Sequence, residues 1–120
     1  MKPAKTSIKN KLDKIVSLIV RSKGKCERCG KTEGLQAAHI FSRGNMAVRY
    51  DFKNLLCLCS GCHIFFAHKN PIEFSEWVRG RLGEGQYQVL RRRATVIKQW
   101  TLKELQDLLT NLQILYGRYL

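Results

Sequence analysis

The chain has 120 residues, 44% of them hydrophobic and 26% charged, with 22 Lys and Arg against 9 Asp and Glu for a net charge of +13. That composition excludes a disordered polymer, and no apolar run reaches the length of a membrane span. The length fits a single domain with a modest core that a structural metal would help to hold. A charge excess this one-sided repels itself unless an anionic partner uses it. Nucleic acid is the first candidate and an anionic membrane surface the second, with solubility alone as the bland reading.

The N-terminal run MKPAKTSIKNKLDK is basic and leads into an amphipathic segment rather than an apolar core, so no signal peptide is expected. Residues 1–7 read as frayed. From Ile8 to Arg21 the positions Ile8, Leu12, Ile15, Val16 and Ile19 follow helical spacing, with Lys9, Lys11 and Lys14 on the other face. Residues 1–25 hold eight basic side chains and one acidic, +7 of the total. Gly24 ends the helix. CERCGKTEG, residues 26–34, is a tight knuckle.

Leu35 to Phe41 suits a short buried strand, Ser42 to Asn45 a turn, and Met46 to Phe52 a returning strand of an antiparallel hairpin. A short helix is expected from Ser60 or Gly61 through Ala67. Asn70-Pro71-Ile72-Glu73 opens another, with Phe74, Trp77 and Val78 buried and Gly80 and Gly83 near its end. Gln86 to Trp100 reads as the next helix. Tyr87, Leu90, Ala94 and Ile97 share one of its faces, and Arg91 to Arg93 form a basic cluster. Thr101-Leu102-Lys103-Glu104 is a capping box for a last helix with Leu102, Leu105, Leu109, Leu112 and Tyr116 inward. The whole divides into a basic N-terminal helix (1–25), a metal-bearing module (26–70) and C-terminal helices (71–120) of one domain.

Five cysteines and no secretory signal argue against a disulfide framework. Cys26 and Cys29 form one C-x-x-C pair and Cys59 and Cys62 another, so the four together suit a tetrahedral thiolate cage for structural zinc. Buried free thiols are the alternative. Cys57 is the spare and reads as a core residue.

His39 on the first strand, Asn54 after the second and His63 directly after the last cage cysteine form a second constellation. Each alone is ordinary: a packed histidine, a turn asparagine, a helical histidine. Together they have a logic. An imidazole with an unperturbed pKa near 6.5 is largely neutral at pH 7 and can take a proton from water. A side-chain amide can orient that ring, and a histidine anchored beside a zinc knuckle is rigid enough to hold a second metal.

The order C-x-x-C, His, Asn, C-x-x-C-His resembles the HNH endonucleases of the ββα-metal fold. The run Cys62-His63-Ile64-Phe65-Phe66-Ala67-His68-Lys69-Asn70-Pro71 is similar to that of small phage-type members. The likeness covers about residues 26–80. It implies an α+β fold: a ββα-metal core with a short antiparallel hairpin and a zinc knuckle, surrounded by several helices. It also implies a metal-dependent DNA endonuclease that leaves 5′-phosphate and 3′-hydroxyl ends. His39 would be the general base, Asn54 its orienting residue, and His63 a ligand of a catalytic divalent ion, Mg²⁺, Mn²⁺ or another first-row metal.

Where that family often has Asp or His just before the base, this chain has Ala38. His68 matches the phage-type pattern as a further ligand. It lies five residues after His63, so an ideal helix would have to loosen or end there to bring both imidazoles together. Asp51 is a further acidic group nearby, read as a metal or supporting residue or as a strand-end turn. Arg43, Arg49 and Lys69 are the expected phosphate contacts, which fix register without reading bases. The partners expected are DNA, mainly through its backbone, and a second copy or phage packaging or recombination proteins. No membrane is expected, and the location is the cytoplasm of a bacterium or phage-infected cell. The alternative is a catalytically inactive, zinc-stabilised nucleic-acid-binding accessory module.

Overall fold

A computed structural model describes residues 2–117. Helix α1 (Lys2–Arg21) leads to strand β1 (Leu35–His39). A 3₁₀ turn (Phe52–Asn54) runs straight into strand β2 (Leu55–Cys59). A π-helix (Cys62–His68), α2 (Pro71–Leu82), α3 (Glu84–Ala94) and α4 (Leu102–Tyr116) follow. The fold is α+β, with one antiparallel pair of strands among the described residues. The expected frayed start is helical from Lys2; Met1 lies outside the described residues.

β1 and β2 pair from Leu35 opposite Cys59 to His39 opposite Leu55. The hairpin is covered on both faces. Leu55 and Cys57 pack with Leu12, Ile15, Val16 and Val20 of α1 and Leu105 and Leu112 of α4. Ala38, Leu56 and Leu58 pack instead with Ala67, Phe74, Val78 and Tyr87. Every residue of β2 is therefore buried. A strand buried on both faces reads as a continuous apolar run rather than an alternation. This is why the returning strand lies at 55–59 and not at the expected 46–52, where MAVRYDF alternates more convincingly.

Residues 46–50 form turns instead, pinned from three sides. Trp100 Nε1 donates to the Met46 carbonyl at 3.0 Å, Asn54 Nδ2 donates to the Val48 carbonyl at 3.2 Å, and Val48 packs against Leu90 and Ala94. Gly83, at φ +83°, separates α2 from α3 in a conformation that a Cβ would strain. α3 stops at Ala94 rather than Trp100. Thr95 turns its hydroxyl back onto the Arg92 carbonyl at 2.7 Å, and Ile97, expected inward, is 92% exposed. The capping box of α4 is formed: Glu104 N–H donates to Thr101 Oγ1, and Thr101 N–H donates to Glu104 Oε1.

Candidate metal and active site

The knuckle after α1 brings its two cysteines together. Cys26 N–H donates to the Lys31 carbonyl at 2.7 Å, and Gly30 takes the left-handed turn at φ +81°. Cys29 N–H then donates to Cys26 Sγ, and Cys62 N–H to Cys59 Sγ, each at 3.4 Å. The sulfurs of Cys26, Cys29, Cys59 and Cys62 all lie within 4.8 Å of one another. Thiolates about 2.3 Å from a tetrahedral ion are about 3.8 Å apart, so this cluster needs little closure to hold a metal. Burial raises the Cys26 thiol, but backbone N–H groups of Cys29, Cys59 and Arg28 outweigh it and bring it to about 6. Burial carries Cys62 up to about 12 despite the nearby Arg28. Binding a cation there releases protons. Cys57 is fully buried in the α1–α4 core and takes no part.

Glu27, inside the first pair, fastens the knuckle to the hairpin. It accepts the Cys57 N–H at 2.6 Å and also takes Lys23 at 3.1 Å and Arg81 at 2.8 Å. Arg28 lies 3.6 Å from the Phe66 ring centre and donates to Cys62 Sγ. The cage, the hairpin and the π-helix are thus one piece of structure.

All three histidines of the chain line a single cleft of about 550 Å³, with Arg43 and Ser42 at one side and Tyr87 at another. His39 ends β1, and its Nε2 faces the Arg49 carbonyl at 3.0 Å. A carbonyl only accepts, so the proton is on Nε2 and the Nδ1 lone pair is free. Burial lowers the His39 pKa, and Arg43 and Arg49 push the same way. The Arg49 carbonyl and Asp13 offset this only in part. The ring is a neutral base at pH 7.

His63 Nδ1 stands 2.7 Å from Gln36 Oε1 and donates to it, which frees Nε2. Burial, followed by the nearby His68 and His39, lowers its pKa. The rings of His63 and His68 are 4.5 Å apart, centre to centre, at 64°. The π-helix makes that pairing. Its i→i+5 bonds widen the turn, so residues five apart come to the same side, as they do not on an α-helix. Asn70 closes this wide turn: its backbone N–H donates to the Phe66 carbonyl and its side-chain amide to that of Phe65, both at 2.9 Å. That side chain therefore finishes the π-helix and does not cap α2.

Asn54 is fully buried. Its Oδ1 accepts the Phe41 N–H at 2.8 Å, and its Nδ2 donates to the Phe41 and Val48 carbonyls. None of these hydrogen bonds goes to the His39 ring. Asn54 fastens both ends of the loop 41–48, and the Arg49 carbonyl just beyond that loop orients the base. Asp51 caps the 3₁₀ turn and pairs with Arg93 of α3 at 2.5 Å. Ala38 is buried in the core beside Phe74 and Val78. Two residues earlier, on the same face of β1, Gln36 makes the contact with His63.

Asp13 of α1 was not apparent as a site residue. It takes both nitrogens of the Arg49 fork and, at 2.9 Å, Arg43. Arg49 is thereby held with a side chain only 13% exposed, whereas that of Arg43 remains 62% exposed at the cleft. Lys69 is exposed and lies 4.8 Å over the Phe65 ring. Among the described residues the four cysteines are the only group of three or more ligand atoms at coordinating separation; the imidazoles form a pair. No helix among the described residues is long and apolar enough to cross a membrane. No family model, curated protein or solved structure matches the chain.

Proposed function

We propose that this protein is a metal-dependent DNA endonuclease of the HNH type, with structural zinc on Cys26, Cys29, Cys59 and Cys62. The observation that carries this reading is the convergence of His39, His63 and His68 on one cleft beside the cysteine cluster. His39, with its proton fixed on Nε2, takes a proton from water at Nδ1. The water oxygen bonds to phosphorus as the bond to the 3′ oxygen breaks, and the departing 3′ oxygen takes a proton from solvent, leaving a 5′-phosphate and a 3′-hydroxyl. His63 and His68, whose rings meet in the cleft, are the residues that would hold a divalent ion. Such an ion supplies charge stabilisation to the phosphate and the departing oxygen. Gln36 keeps His63 in the right tautomer, and Arg43 is the exposed cation for a neighbouring phosphate.

Plasmid cleavage with Mg²⁺, Mn²⁺ or EDTA tests this directly. The parent should cut with metal and not with EDTA, and His39→Ala should lose about 10²–10⁴-fold in rate. A parent that never cuts, or a His39→Ala variant that cuts as fast, overturns the enzyme reading. One observation favours a second reading, a non-catalytic nucleic-acid-binding module: the imidazole pair lacks a third protein ligand at coordinating distance among the described residues. Tight DNA binding without cleavage under any metal is its signature.

A further inference from the structure

α1 carries an asymmetric charge pattern. Lys5, Lys9, Asp13 and Ser17 recur every four residues and so share a face, along a helix that rises about 1.5 Å per residue. All four are partly buried, whereas Lys11 and Lys14 are exposed on other faces. Asp13 is the only acidic residue of α1, and Arg43 and Arg49 consume its charge. Among the described residues, neither Lys5 nor Lys9 has an acidic partner.

This stripe abuts the reaction cleft. A recess of about 150 Å³ is lined by Asp13, Val16 and Ser17 from α1 together with His39, Arg43 and Arg49. His39 and Arg43 also line the main cleft, so the two depressions meet at those residues. A backbone leaving His39 thus meets Arg43 and then, one and two helical turns along from Asp13, Lys9 and Lys5.

We propose that the Lys5–Lys9 stripe of α1, joined to the cleft through Arg43, is the track on which the phosphate backbone of duplex DNA lies outside the reaction centre. This deepens the endonuclease reading and rests on it. α1 is then part of the substrate surface as well as the core. Unpaired ammonium groups spaced one turn apart match successive phosphates, and a track of this kind holds register without reading sequence.

The test is the salt dependence of binding to a short labelled duplex, measured by fluorescence anisotropy on the full chain without divalent metal. Each phosphate contact adds about 0.9 to the slope of log K against log salt. Lys5→Ala/Lys9→Ala should lower the slope by about 1.8, and Lys11→Ala/Lys14→Ala should change it much less. Equal effects from the two double variants, or none from Lys5→Ala/Lys9→Ala, overturn the track. So does a Lys5→Ala/Lys9→Ala variant that loses binding to anionic vesicles while keeping the parental DNA slope. Unchanged urea midpoints and metal content exclude misfolding as the cause of any difference. A parent that binds no DNA sinks the endonuclease reading and this inference together. A parent that cuts DNA, with a Lys5→Ala/Lys9→Ala variant of parental slope, sinks this inference alone.

Discussion

Gln36→Leu removes the acceptor 2.7 Å from His63 Nδ1 and leaves that N–H with an apolar neighbour. Partners of this kind fix the ring and raise its basicity, and their loss costs about 10–100-fold in metal affinity. We expect that loss in a calorimetric titration of the zinc-loaded protein with Mn²⁺, and expect Gln36→Glu, which still accepts the bond, to keep parental affinity or better it. A Gln36→Leu variant that binds as tightly as the parent removes Gln36 from the site. The histidines were legible from their order along the chain, but the groups that orient them were not. Gln36 lies three residues before His39 in a short strand, and nothing in its local sequence marks it as a partner of His63, which is distant along the chain. Asn54 was legible as important, yet its amide serves the backbone of Phe41 and Val48, a pairing that depends on how the loop folds back.

Elements announced by local chemistry are where the sequence placed them. α2 starts at Pro71 and α4 behind its capping box, because both signals act within one turn. β2 and the end of α3 were misplaced because burial from two sides decides the first and a side-chain turn at Thr95 the second. The π-helix was anticipated only as a need for looseness between His63 and His68. α4 also carries a pH dependence. The Lys98 ammonium, first, and the Thr101 N–H hold Glu104 down to about 2 from an ordinary 4.5. A carboxylate lowered on folding stabilises the native state fully above pH 4.5 and loses that contribution as the pH falls through 2. The urea midpoint of the parent should therefore exceed that of Glu104→Gln at pH 6, and the difference should shrink steadily towards pH 2. A difference that does not change with pH assigns the effect to shape rather than charge.

For the molecule as a whole, the cysteine cluster joins segments that are far apart in sequence, the knuckle after α1 and the start of the π-helix. A chain of 120 residues gains much from such a junction. We expect one tightly held zinc per folded chain by elemental analysis, lost in Cys59→Ala with a large fall in melting temperature. Cys57→Ala should keep the full complement, since that thiol belongs to the opposite core. A folded parent without metal overturns the cage.

The hairpin held between two cores has a dynamic consequence. Local openings in a protein begin where apolar contacts are few and reach the most enclosed segments last. β2 is buried along its whole length, and β1, only partly buried itself, is paired to it from Leu35 to His39, so the ladder that holds His39 is anchored on the most enclosed strand. The side chains of Arg43 and His68 at the cleft are more exposed than this ladder. If His39 acts as the proposed base, it is the fixed member of the site, and adjustment to a substrate falls to the residues around it.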